Sequence, residues 1–179
     1  MYEKLEQLSL QLSASYQDED LEWRNSPFAW IKSRPSRQRG KIAEELVAGL
    51  CDTEGLIVAR SPDSDADLIV EGVRVEVKSS TLWKNGRYKF QQLRDQNYEI
   101  AVCLGLSPSN AHCWALPKDV LLQNWEDGST GIGSQHGGSA GTDTAWIDLD
   151  PHQPPTWMQP YGGSLEEGMT AIRFLLVSR

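Results

Sequence analysis

Two short stretches of this chain carry side chains suited to chemistry at a charged centre. Asp67 is followed, after eight intervening residues, by Glu76-Val77-Lys78. Residues 66–70 (Ala-Asp-Leu-Ile-Val) and 73–78 (Val-Arg-Val-Glu-Val-Lys) read as strands, with Glu71-Gly72 as the hairpin turn between them. A hairpin sets the start of one strand beside the end of the next, so Asp67 and Glu76 converge. Two carboxylates brought together repel unless a cation lies between them. Mg²⁺ suits such a place, because it takes hard oxygen ligands, few protein carboxylates, and water and phosphate for the rest. The second strand alternates strictly, with Val73, Val75 and Val77 on one face and Arg74, Glu76 and Lys78 on the other. The Lys78 ammonium therefore stands beside Glu76, where it can hold or help deprotonate an attacking water. A cation would lower the pKa of that water and stabilise charge on a phosphodiester. Glu-x-Lys on a strand is, taken alone, equally a surface ion pair; the elements around it decide its meaning.

Those elements run as follows. Residues 3–16 space Leu5, Leu8, Leu10 and Leu12 among polar residues and predict a helix. Ser26 and Pro27 can cap and open a short helix through Ile31. Residues 33–40 form a basic loop ending in Gly40, and 41–50 predict a helix whose Ile42, Ala43, Leu46, Val47 and Leu50 share a face. Glu44 and Glu45 fall on opposite flanks of that face, so either can approach the hairpin as a third carboxylate. Residues 55–59 predict a strand before the hairpin. Residues 89–96 predict a helix, 98–106 and 111–116 two apolar strands, and 117–125 a short helix. Residues 126–145 are rich in Gly, Ser and Thr and predict a loop, 145–149 a strand, 151–163 irregular chain, and 165–174 a final helix. The whole predicts one domain over 1–179, with a helical segment at 1–36, a core at about 37–118, and a loop-rich recognition and packing segment at 119–179.

The net charge of −8 argues against a nucleic-acid partner until its distribution is considered. Residues 1–23 hold one Lys and six acids, and residues 95–179 three Lys/Arg and ten acids. The middle, 24–94, holds 13 Lys/Arg against nine acids, and five of those acids (Glu44, Asp63, Asp65, Asp67, Glu76) lie in or near the candidate metal site. The basic charge thus gathers around the carboxylates. Cys51, Cys103 and Cys113 are odd in number and lack metal-ligand spacing, which predicts reduced, buried thiols. No apolar run suits a membrane span or a signal peptide, so a cytoplasmic protein without membrane contact is expected.

Three segments taken together carry a family resemblance: Arg39-Gly40-Lys41-Ile42-Ala43-Glu44, Asp65-Ala66-Asp67-Leu68-Ile69-Val70, and Val75-Glu76-Val77-Lys78-Ser79-Ser80. In order and spacing the chain resembles the PD-(D/E)XK nuclease superfamily, which includes type II restriction endonucleases and archaeal Holliday-junction resolvases. The likeness covers roughly residues 37–104, with Ala66 where the family name has Pro. It implies an α/β restriction-endonuclease-like core, a central mixed β-sheet flanked by helices, with a C-terminal extension. It implies a Mg²⁺ ion (Mn²⁺ substituting) held by Asp67, Glu76, the Val77 carbonyl and Glu44, with Lys78 at the attacking water. Glu45 is the alternative to Glu44, and Asp65 the alternative to Asp67. In many such nucleases the helix after the Glu-x-Lys strand turns a polar residue toward the site, a role that falls here to Gln92 or Gln91.

The resemblance also suggests where DNA would lie. Arg37, Arg39, Ser79, Ser80, Lys84, Arg87, Lys89 and Arg94 are candidates for phosphate contacts, which position a duplex without reading it. His136, with Gln135 and Thr144, is a candidate for reading base edges, whereas Trp125, Trp146 and Trp157 are expected to be packing. The expected function is Mg²⁺-dependent hydrolysis of double-stranded DNA by a restriction-type homodimer, paired with a methyltransferase acting on the same DNA site. The alternatives are a structure-specific repair or recombination nuclease and a non-catalytic DNA-binding module.

Overall fold

The computed structural model describes residues 1–126, 130–135 and 144–178, apart from the side chains of residues 15, 17–20, 126 and 135. Helix α1 (Tyr2–Trp23) leaves Leu5, Leu8, Leu10 and Leu12 exposed and buries Trp23 at its end. Helix α2 (Ala29–Lys32) leads into α3 (Ser36–Thr53), which buries Ala43, Val47 and Cys51, one residue per turn. The predicted basic loop is therefore mostly helical. Pro35 stands just before the first turn, where its fixed φ is compatible with helix entry, and Arg37 and Arg39 project from that turn.

A six-stranded sheet forms the centre of the molecule. It is built from β1 (Val58–Arg60), β2 (Leu68–Val70), β3 (Val73–Thr81), β5 (Ile100–Leu106), β6 (Ala111–Pro117) and β9 (Gly162–Ser164), side by side in that order. β3 and β5 run parallel and every other neighbouring pair runs antiparallel. The fold is thus mixed α/β, a central mixed sheet flanked by helices, as the fold-class expectation had it. The β2–β3 turn places Glu71 (φ 49°) and Gly72 (φ 81°) both in the left-handed region, as a two-residue hairpin of the primed type demands. β5 is buried along its whole length, which is why it reads as one apolar run.

One face of the sheet packs against α3 and the last helix, α5 (Leu165–Val177), joining Ala43, Val47, Met169 and Ile172 to Val75, Val77, Val102 and Leu104. A capping box starts α5: the Glu167 N–H donates to Ser164 Oγ (3.2 Å), and the Ser164 N–H donates to the Glu167 carboxylate (2.9 Å). Residues 162–177 thus complete the main sheet and its helical layer, although they lie far beyond residue 118. The opposite face packs against a second sheet of β4 (Tyr88–Leu93), β8 (Thr144–Leu149) and β7 (Ile132–Gln135), with α4 (Lys118–Glu126) beside it. Trp114 of β6 anchors this core, meeting Tyr88 and Phe90 edge to face at 6.4 and 6.2 Å. All three cysteines are free and buried. Among the described residues no helix is long and apolar enough to cross a membrane.

The helix expected at residues 89–96 is not formed; that stretch belongs largely to β4. Its buried residues are Tyr88, Phe90 and Leu93, because the register against β8 shifts between Phe90 and Leu93. This bulge inserts a residue and converts the two-residue alternation into a spacing that mimics a helical one. Gln92 at the bulge has φ 58°, uncommon for a residue other than glycine.

Candidate active site

The site lies where β3 loses one neighbour. β2 pairs with β3 only at Val73–Val75, and from Glu76 to Thr81 the partner of β3 is β5 alone. On the open edge the chain entering β2 supplies Asp67. Its own N–H donates to the Val75 carbonyl (3.0 Å), and the Val77 N–H donates to Asp67 Oδ2 (2.7 Å). A residue in a strand turns its N–H and C=O toward the same edge. The Val77 carbonyl therefore faces this open edge together with the Asp67 carboxylate.

Glu76 is buried, and its carboxylate is ion-paired with the Lys78 ammonium on the same strand face. Burial pushes the Glu76 carboxyl above its ordinary range, the Lys78 charge opposes this, and Asp67 pushes it higher. Glu44 is likewise held above the ordinary range, by burial first and then by Asp67. Glu44 and Glu76 thus both feel the charge of Asp67. Glu44 lines the cleft above β3 together with Asp67, while Glu45 is exposed and does not. Asp65 also stays outside the cleft, its N–H bonded to Asp63 Oδ1 (3.0 Å).

Among the described residues no group of three or more His, Cys, Asp or Glu side chains is gathered closely enough to hold a metal ion. A cation here would rest on Asp67, Glu76 and the Val77 carbonyl, with water and phosphate completing its shell. Such a donor set fits Mg²⁺, which is commonly held by one or two carboxylates plus substrate phosphate. Burial first, and then the neighbouring Asp67 charge, disfavour the ionised Glu76, and a cation would offset both.

The cleft has a volume of about 560 Å³ and is walled by α3 on one side and β4 on the other. Of the expected DNA contacts, Arg37, Arg39, Ser79, Ser80, Lys89 and Gln91 line it, as does Gln92. The bulge explains why two consecutive glutamines both reach it. The Ser80 hydroxyl is engaged internally, accepting from the Lys89 N–H (2.9 Å) and donating to the Thr81 carbonyl (3.0 Å). Lys84 and Arg94 are exposed and lie outside the cleft lining. Arg87, also outside it, is ion-paired with Asp148, tying the chain just before β4 to β8. His136 lies outside the described residues, as do residues 142–143 of the same predicted reading loop.

Trp83, half-exposed just past β3, also lines the cleft; it was absent from the sequence-based candidates. The available signal was its position five residues beyond Lys78 in a basic, Gly-containing turn.

If Glu44 rather than Glu45 serves the metal, Glu44→Gln should raise the Mg²⁺ concentration needed for half-maximal cleavage at least tenfold, and Glu45→Gln should leave it near wild type. A Mg²⁺ titration of both variants checks this, and the reverse ranking would reassign the helix carboxylate.

No family model matches the chain, and no curated protein matches it. Among solved structures, the chain is similar to a bacterial homing endonuclease, I-Ssp6803I, with 19% identity over 78% of this chain and 93% of that one and a TM-score of 0.46.

Proposed function

We propose that the chain is a Mg²⁺-dependent DNA endonuclease that hydrolyses phosphodiester bonds, of the restriction type that cuts double-stranded DNA. The observation that carries this reading is the meeting of the Asp67 carboxylate and the Val77 backbone in a cleft flanked by Arg37, Arg39 and Lys89, with Lys78 lining it and ion-paired to the buried Glu76 beneath. Asp67, Glu76 and the Val77 carbonyl would hold the cation, with Glu44 behind them. Bound there, it would neutralise phosphate charge and acidify a water. Lys78 would orient that water toward phosphorus and help it lose its proton, the P–O bond to the leaving oxygen would break as the water oxygen bonds to phosphorus, and Glu76 would keep the ammonium in place. Arg37, Arg39 and Lys89 take the flanking phosphates. Mn²⁺ has the same oxygen preference and would substitute. One site per chain implies two copies to cut both strands, hence a homodimer, and a restriction role implies a methyltransferase partner in the cytoplasm.

A mixed-sequence plasmid incubated with the purified protein and Mg²⁺ tests this. Discrete fragments are the expected result. Cleavage confined to branched DNA would favour a junction-resolvase-like nuclease instead. Retained binding with no cleavage of any DNA or RNA would leave only a DNA-binding module.

A metal-linked stability change is also expected. The folded-state pKa values of Glu44 and Glu76 lie above those of the unfolded chain, so these groups favour folding below the ordinary carboxylate range. That contribution is lost as pH rises through the raised values. Above them, Mg²⁺ has the most repulsion to relieve and fewest protons to displace. Mg²⁺ should therefore raise Tm more at pH 8 than at pH 5, measured against EDTA, and Asp67→Asn should abolish the increment. An equal increment in that variant would mean the ion binds elsewhere.

A further inference from the structure

At the rim of the cleft three side chains from three separate segments form one cluster. Lys89 of β4 holds its ammonium 5.6 Å from the centre of the Trp83 ring and 5.1 Å from that of Trp146 in β8. These distances are those of cation–π contacts. Lys89 has no ion-pair partner among the described residues. Its backbone is fixed to β3 through the Ser80 hydroxyl. Trp146 is seated against the backbone of Gly133 in β7, where the indole occupies the space of a side chain. Trp83 instead keeps 51% of its surface open and lines the same cleft as Asp67 and Lys78.

We infer that the Trp83–Lys89–Trp146 cluster is a binding site for an unpaired nucleobase and its adjoining phosphate, with the base stacked on Trp83 and the phosphate on Lys89. An aromatic platform beside a free cation is the combination that tracks single-stranded nucleic acid. A paired base inside a duplex offers only its groove edges, whereas an unstacked base offers a π-face. The cleft's volume falls within the range of about 300–1,000 Å³ that encloses one small ligand, room for a single nucleotide. Gln91 and Gln92, both brought into the cleft by the bulge, add amides able to bond the edge of the same base. The location of the scissile phosphate beside this base rests on the nuclease reading; the stacking site itself does not. The favoured substrate would then carry an unpaired nucleotide next to the cut, as an extension, a bulge, or a base displaced from the stack.

The test uses the whole protein in EDTA, a labelled dT12 strand, a blunt duplex, and the same duplex with a single-stranded extension. Trp83→Ala should weaken binding of dT12 and of the extended duplex by about 5–150-fold, the range expected for loss of one stacked base. Blunt-duplex affinity should change less than twofold. Trp83→Phe should restore most of the loss, and dT12 should quench tryptophan fluorescence in the wild type but much less in Trp83→Ala. Equal weakening on all three DNAs, or none on any, would overturn the inference. Cleavage in Mg²⁺ is scored separately on the same DNAs. Cutting without a Trp83-dependent preference for the extended duplex sinks this inference and leaves the nuclease reading intact. Trp83-dependent binding of unpaired DNA without any cutting sinks the nuclease reading and leaves the stacking site standing.

Discussion

Replacing Lys78 by Ala is expected to lower the rate of DNA cleavage by about 10²–10⁴-fold, the contribution of a positioned proton-transfer group, while duplex affinity changes less than threefold. The ammonium sits on the strand face of Glu76 and is ion-paired with it. It is one cation among several in the cleft, so its loss should scarcely alter how phosphates are held. Lys78→Arg keeps the positive charge but cannot give up a proton near neutral pH. If the ammonium transfers a proton, the Arg variant should be nearly as inactive as the Ala variant. If it acts as a charge only, Arg should recover much of the rate. Single-turnover rates measured beside a binding isotherm separate these cases. Undiminished cleavage in Lys78→Ala would remove Lys78 from the site altogether.

Gly168→Ala is expected to produce a large loss of stability. An added Cβ would lie 2.6 Å from Cys113 Sγ and 2.7 Å from the Cys113 carbonyl oxygen, closer than such atoms approach. α5 must then withdraw from β6, and β9 with it, since the two are consecutive and both contact β6. Overpacking of this kind costs about 1–3 kcal/mol and sometimes more. At about 2–4 °C per kcal/mol for a chain of this size, Tm should fall by roughly 2–12 °C. Gly49→Ala is the matching control. Gly49 lies in α3 with open space where its Cβ would be, and Ala there should gain about 0.4–1 kcal/mol by restricting the unfolded chain. Thermal melts of the two variants check the contrast. A neutral Gly168→Ala would mean that α5 does not pack as closely as its contact with Cys113 requires.

The candidate hairpin was legible in the sequence because the choices that set its turn and register are local. Glu71-Gly72 selects the turn, the Val73-Val75-Val77 alternation selects the register, and the positions of Asp67, Glu76 and Lys78 follow from those two choices. The face of α3 was legible for the same reason, since its period is written within a few turns. The β4 strand was not. Its bulge hides the alternation, and its partner β8 lies more than fifty residues away, so its own sequence holds no sign of the ladder that fixes it. Nor could the sequence choose between Glu44 and Glu45, which sit on either flank of one helical face until the cleft forms on one side only. The cluster of Trp83, Lys89 and Trp146 belongs to the same class: side chains from three segments meet because two sheets pack face to face. Local periodicity and turn chemistry therefore determined where Asp67, Glu76 and Lys78 stand relative to one another. The pairing of distant strands, whose contacts are never neighbours in the chain, decided the walls of the cleft and what lines its rim.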